Sequence, residues 1–183
     1  MPSSAENASA RAARLRLMAF DVDGVLTDGS LFYTDEGVEI KAFNTLDGHG
    51  LRLLQQAGIT VAIITGRRAR CVELRAQNLG IRHLFQGVDN KLEIMNSLLS
   101  ELDLTAESAG YMGDDVVDLP VMSACGFSAT PGDGHPLVQR HASLTTLRGG
   151  GRGAVREACE FILDAQGRLA AALAPYLVAV PGR

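Results

Sequence analysis

The residues best suited to chemistry are two aspartates one residue apart, Asp21 and Asp23, which close the apolar run Leu17-Met18-Ala19-Phe20 and precede Gly24. A short apolar run bounded by turn formers reads as a buried strand, so both acids fall where its carboxyl end breaks into a loop. In open α/β sheets ligands bind at that end. Residues two apart on a strand share a face, and a chain turning at Gly24 can aim two carboxylates, or one carboxylate and one backbone carbonyl, at a single point. Two acids at one point repel unless a cation or proton lies between them, and all-oxygen ligands favour Mg²⁺. The plainer alternative is a solvated Asp-Gly turn.

Three further places offer matching chemistry. Thr65-Gly66-Arg67 ends the most apolar run, 59–64. A hydroxyl and a glycine N–H there can donate to a phosphoryl oxygen, although a threonine in that position could equally serve as a helix N-cap. Lys91 falls in a predicted first helical turn, where a positive charge opposes the helix dipole. Its ammonium could neutralise an aspartate and a phosphoryl group together; as an exposed lysine, its loss would leave stability little changed. Gly113-Asp114-Asp115-Val116-Val117-Asp118 follows another strand. Asp114 and Asp118, four apart, would share one helix face toward Asp21 and Asp23, and three acids within five residues exceed what N-capping needs.

The elements that must hold these residues follow from the periodicity. Residues 30–34 and 38–43 read as a β-hairpin across Asp35-Glu36-Gly37. Helices are predicted over 46–56, 68–79, 91–102, 116–124, 136–139 and 154–163. Strands are predicted over 59–64, 83–87, 108–112 and 126–129, with an edge strand at Leu144-Thr145. Strands alternating with helices of this length imply an α/β fold, a doubly wound parallel sheet with a β-hairpin after its first strand. One domain spans 15–165, between a disordered tail over 1–14 and a C-terminal tail over 166–183.

The 183 residues are 46% hydrophobic and carry a net charge of −4, which argues against a nucleic-acid surface. No apolar run approaches the roughly 20 residues of a membrane span. The start of the chain has no apolar core of a secretory signal. Cys71, Cys125 and Cys159 are odd in number and lack metal-ligand spacing, so they read as reduced thiols of a cytoplasmic protein.

Asp-x-Asp-Gly-x-Leu-Thr after a strand, followed in order by Thr65, Lys91 and Gly113-Asp114-Asp115, resembles the haloacid dehalogenase-like phosphatases, with their Rossmann-like core. The run Phe20 to Gly29, Phe43-Asn44 with Asp47-Gly48-His49-Gly50, Pro120-Val121-Met122, and Gly150-Gly151-Arg152-Gly153 with Ala154-Val155-Arg156-Glu157 look like the capless 3-deoxy-D-manno-octulosonate 8-phosphate phosphatases of lipopolysaccharide precursor synthesis. The resemblance implies that Asp21 is the nucleophile and Asp23 the general acid and base. It implies that Asp21, the Asp23 carbonyl and Asp114 hold Mg²⁺, supported by Asp115 and Asp118. Thr65, Gly66 and Lys91 would then clamp the phosphoryl group. It also puts Arg67 and Arg75 at the sugar carboxylate; eight apart, two helical turns, they would face the same way. The glycine-rich stretch 149–153, opening a helix, could receive an anion.

A capless chain lacks its own lid. The apolar hairpin (Leu31, Phe32, Tyr33, Val38, Ile40) and the C-terminal stretch 169–183 suggest a homotetramer whose neighbours close each site. The competing readings are a phosphatase of another acidic sugar phosphate, such as a nonulosonate 9-phosphate, and a receiver-like phospho-accepting module. Receivers place the paired acids first and the acceptor on a later strand, the reverse of the order here.

Overall fold

A computed structural model describes residues 4–177, with side chains from residue 8 onward. The chain runs through α1 (Ser4–Ala12), β1 (Leu17–Phe20), the hairpin β2 (Phe32–Tyr33) and β3 (Glu39–Ile40), α2 (Thr45–Gln56), β4 (Thr60–Thr65), α3 (Arg70–Leu79), β5 (His83–Gln86) and α4 (Lys91–Glu101). It continues through β6 (Ala109–Met112), α5 (Leu119–Ala124), β7 (Phe127–Thr130), α6 (Pro136–His141), β8 (Leu144–Thr145), α7 (Ala154–Ala165) and α8 (Leu169–Leu173). Six strands form one sheet in the order β5-β4-β1-β6-β7-β8, all neighbours parallel, and the hairpin stands apart as a second sheet. This is the expected doubly wound α/β architecture, without an inserted cap.

Successive side chains of a strand point to opposite faces. Met18 and Phe20 of β1 and Val61 and Ile63 of β4 pack with Leu51 of α2, Val72 of α3 and Ala158 of α7. Their alternates Leu17, Ala19, Ala62 and Ile64 pack with Met95 of α4 and Val121 of α5. Burial on both faces is why 59–64 reads as an unbroken apolar run. Phe20 stands level with Ile63 and with Met112, so Asp21, Thr65 and Gly113 leave the sheet side by side. That point, the carboxyl end of β1 where the strand order reverses, is the switch-point crevice of such a sheet.

Three expectations change. The N-cap of α3 is Ala69, with Arg70 its first residue, so Thr65 caps nothing. The helix predicted from 116 is a 3-10 turn, Val116–Asp118, leading into α5, because Pro120 has no N–H to donate to Val116 and its ring clashes with that carbonyl. Residues 4–12 of the expected disordered tail form a helix: the segment is alanine-rich, Ala8 and Ala12 are buried, and the Gln166 amide donates to the carbonyls of Ala12 (3.2 Å) and Leu15 (2.9 Å). In the C-terminal stretch, Leu169 and Leu173 pack on the chain's own core and the Tyr176 ring meets His49 edge-on at 5.2 Å. Val178 and Arg183 of that stretch lie outside the described residues. The three cysteines are free thiols, and burial pushes that of Cys125 up to about 12.

Candidate active site

Asp21 is placed by β1, and its carboxylate is held from two sides. Oδ1 accepts the N–H of Val22 at 2.7 Å, and Oδ2 accepts the Lys91 ammonium at 2.6 Å. Lys91 also donates to Asp118 Oδ1 at 2.6 Å and lies 5.8 Å from the ring centre of Tyr111, whose hydroxyl donates to the Ile64 carbonyl. Its side chain is only 8% exposed, so Lys91 is not a surface lysine. The expectation that its loss leaves stability unchanged is overturned with it, because removal would leave Asp21 and Asp118 facing each other buried and unneutralised.

Asp114 and Asp118 do converge, but not on one helix face. The Asp118 carboxylate folds back so that Oδ2 accepts the N–H of Asp114 (3.1 Å) and of Asp115 (3.4 Å), while Asp115 caps the 3-10 turn. A Cβ at position 113 would fall 2.4 Å from Asp118 Cγ. Only glycine permits the turn to close this tightly.

Asp21, Asp114 and Asp118 each offer an oxygen within 4.8 Å of the others. Burial first, then Asp21, Asp118 and Asp115, raise Asp114 to about 7 against the weaker pull of Lys91. Burial likewise raises Asp21, opposed by Lys91. Burial draws the Lys91 ammonium down, but Asp21 and Asp118 outweigh it and the net shift is upward. A cluster of buried carboxylates with a single ammonium is short of positive charge, and its donor set is all oxygen; both features fit a hard divalent cation.

Asp23 lies on the other wall. Its Oδ1 is paired with Lys41, which also meets Glu39 Oε1 at 2.6 Å. Glu39 Oε2 accepts from Arg67 at 2.7 Å, and the same Arg67 nitrogen donates to the Tyr33 hydroxyl at 2.7 Å. Hydrogen bonds from Arg67 and Lys41 hold Glu39 down at about 2. Between the walls is a cleft of about 460 Å³ lined by Asp21, Asp23, Gly24, Thr65, Gly66, Arg67, Lys91, Asp114, Asp115 and Val117, among others.

One expected residue and one expected stretch do not join it. Arg75 donates to the Asn44 carbonyl (2.9 Å), lies over Phe43 and borders a separate depression with His49 and Arg52. The two-turn spacing fails because α3 begins after Arg67. The stretch 149–153 does not offer its N–H groups to an anion: Gly150 donates to Asp133, Gly151 to the Val25 carbonyl and Gly153 to Asp47. It acts as a buttress, packing Gly150 against the Gly24 carbonyl. Reasoning from sequence missed Glu39 and Lys41. Their signal is two charges two residues apart, alternating with Val38 and Ile40 in a hairpin read for its apolar residues alone.

Paired acids at the switch point, with a threonine, a buried lysine and a second acidic turn on the adjoining strands, are the layout of a haloacid dehalogenase-like hydrolase. No family model matches the chain. It is 49% identical over 160 residues to the 3-deoxy-D-manno-octulosonate 8-phosphate phosphatase KdsC of Escherichia coli K12, covering 87% of this chain and 85% of that one. The crystal structure of the Yersinia pestis phosphatase of the same name superimposes with a TM-score of 0.88 at 48% identity, over 90% of this chain and 89% of that one. That of the Moraxella catarrhalis enzyme, in complex with magnesium ion, phosphate ion and KDO, gives 0.91 at 41% identity, over 93% and 98%. The chain belongs to the 3-deoxy-D-manno-octulosonate 8-phosphate phosphatase family.

Proposed function

We propose that this chain is a Mg²⁺-dependent phosphatase that releases phosphate from 3-deoxy-D-manno-octulosonate 8-phosphate in lipopolysaccharide precursor synthesis. The observation that carries the reading is the Lys91 ammonium 2.6 Å from Asp21 in a cleft that also holds Asp23, Thr65, Gly66 and Asp114. Relatives named for this substrate support it.

Asp21 attacks phosphorus in line, the bond from phosphorus to the sugar oxygen breaks, and Asp23 passes its proton to that oxygen. Asp23, now a carboxylate, takes a proton from water as the water oxygen attacks the aspartyl-phosphate. This frees inorganic phosphate, restores Asp21 and reprotonates Asp23. Thr65, the Gly66 N–H and Lys91 hold the phosphoryl oxygens while charge redistributes over them. Asp21, the Asp23 carbonyl and Asp114 would hold Mg²⁺, positioned by Asp115 and Asp118. Bound there, Mg²⁺ screens the nucleophile from the anionic substrate.

Arg67 receives the sugar carboxylate. Arg75 lines a separate depression and takes no part in the cleft of its own chain. The cleft is closed, in a homotetramer, by neighbours' hairpins and C-terminal residues. No helix among the described residues is long and apolar enough to cross a membrane; a cytoplasmic location rests on the unpaired cysteines. A substrate panel with Mg²⁺ tests the reading. Preferred turnover of the octulosonate 8-phosphate upholds it, preference for a nonulosonate 9-phosphate moves the substrate, and a long-lived phosphoprotein without turnover favours a receiver-like switch.

A further inference from the structure

We propose that Lys41 is a positioning residue for the reaction: by holding one oxygen of Asp23 it fixes the other toward the leaving group. The inference rests on the reading of Asp23 as general acid and base. Lys41 follows β3, and its side chain is wholly buried between Asp23 and Glu39. Glu39 and Lys41, two apart, turn inward, whereas Val38 and Ile40 turn out to solvent at 58% and 50% exposure. The hairpin thus sends its charged face into the site.

Asp23 is left with two unlike oxygens. Oδ1 is anchored on Lys41, whereas Oδ2 is buried, meets no hydrogen-bond donor among the described residues and stands 3.9 Å from Arg67 Nε. With Oδ1 taken by Lys41, Oδ2 is the oxygen of this cleft-lining residue left to carry and pass the proton when substrate is bound. A buried ion-pair network as a whole adds little net stability over apolar side chains packed in its place, so stability alone does not account for the grouping of Lys41 with Asp23 and Glu39. What an apolar replacement would not do is fix the rotamer of Asp23, and proton transfer needs its donor within hydrogen-bond reach in a defined direction. Glu39 completes the device by holding Lys41 and Arg67 together, so the proton donor and the proposed carboxylate-binding arginine share one brace.

The test varies the leaving group. An alkyl phosphate, the one the substrate panel selects, expels a poor leaving group that needs a proton; p-nitrophenyl phosphate expels a nitrophenolate that does not. kcat/KM covers the steps through leaving-group departure and is blind to later hydrolysis of the aspartyl-phosphate. Lys41→Met should lower kcat/KM on the alkyl phosphate about a hundredfold and on p-nitrophenyl phosphate less than about fivefold. Asp23→Asn should show the same selectivity. Equal losses on both substrates, or no loss on the alkyl phosphate, in Lys41→Met folded by near-ultraviolet circular dichroism would overturn the proposal. Should that variant not fold, Lys41→Gln is read by the same ratio. Absence of selectivity in Asp23→Asn would instead remove the general-acid reading itself.

Discussion

Gly24 and Asp114 meet so closely that a Cβ at position 24 would fall 2.1 Å from Asp114 Oδ2, and Gly24 has φ +82°. Gly24→Ala must therefore push the Asp114 carboxylate aside and also strain its own backbone, at a cost on the order of 1–2 kcal/mol. We expect Mg²⁺ affinity, measured by titration calorimetry, to fall at least tenfold. Unchanged affinity would separate Asp114 from the metal.

Asp21→Asn should abolish turnover, because an amide cannot serve as the nucleophile. It should leave the melting temperature the same or higher, since it removes one of several buried carboxylates while Lys91 keeps Asp118. Single-turnover phosphate release at the wild-type rate would take Asp21 out of its role.

Lys91→Met should lose activity by roughly 10²–10³ for want of a phosphoryl donor and destabilise the metal-free protein by roughly 3 kcal/mol, since Asp21 and Asp118 lose their shared cation. Mg²⁺ should recover part of that stability. Thermal unfolding with and without Mg²⁺ checks both effects, and an unshifted metal-free melting temperature would contradict the second.

Asp114 has its folded-state pKa raised from 3.8 to about 7, so between those values the folded protein binds the extra proton. Its contribution favours folding below about pH 4 and is lost as pH rises toward 7. Mg²⁺ needs the carboxylate, so the Mg²⁺-induced rise in melting temperature should grow from pH 5.5 to pH 8. Glu39 acts in the opposite sense: lowered from 4.5 to about 2, it stabilises above pH 4.5 and loses that effect as pH falls toward 2. A Mg²⁺ shift independent of pH would count against Asp114 as a ligand.

The hairpin side chains Leu31, Phe32, Tyr33, Val38 and Ile40 are between 44% and 58% exposed. If copies of the chain cover them, sedimentation should give a tetramer, and Val38→Glu should dissociate it and lower kcat/KM. A chain ending at Leu177 tests the C-terminal residues separately. A fully active monomer would refute the shared lid.

The sequence by itself determined the sheet and most of the site, because both depend on local pattern. Apolar runs ending in Asp21, Thr65 and Gly113 fix which strands are buried and where they stop, and the switch point then brings those ends together. Lys91 was legible only as a suspicious charge at a helix start. Its burial between Asp21 and Asp118 is a contact across 70 and 27 residues, decided by the order of the strands. The fold-back of Asp118 on two N–H groups has a local cause, since Pro120 forbids the helix its spacing implied, but the tertiary structure alone brought that carboxylate to Lys91. It also parted Arg67 from Arg75, because α3 starts at Arg70. Glu39 and Lys41 were hidden for the same reason: an exposed-looking hairpin becomes half of an active-site wall only when the fold sets its charged face against Asp23.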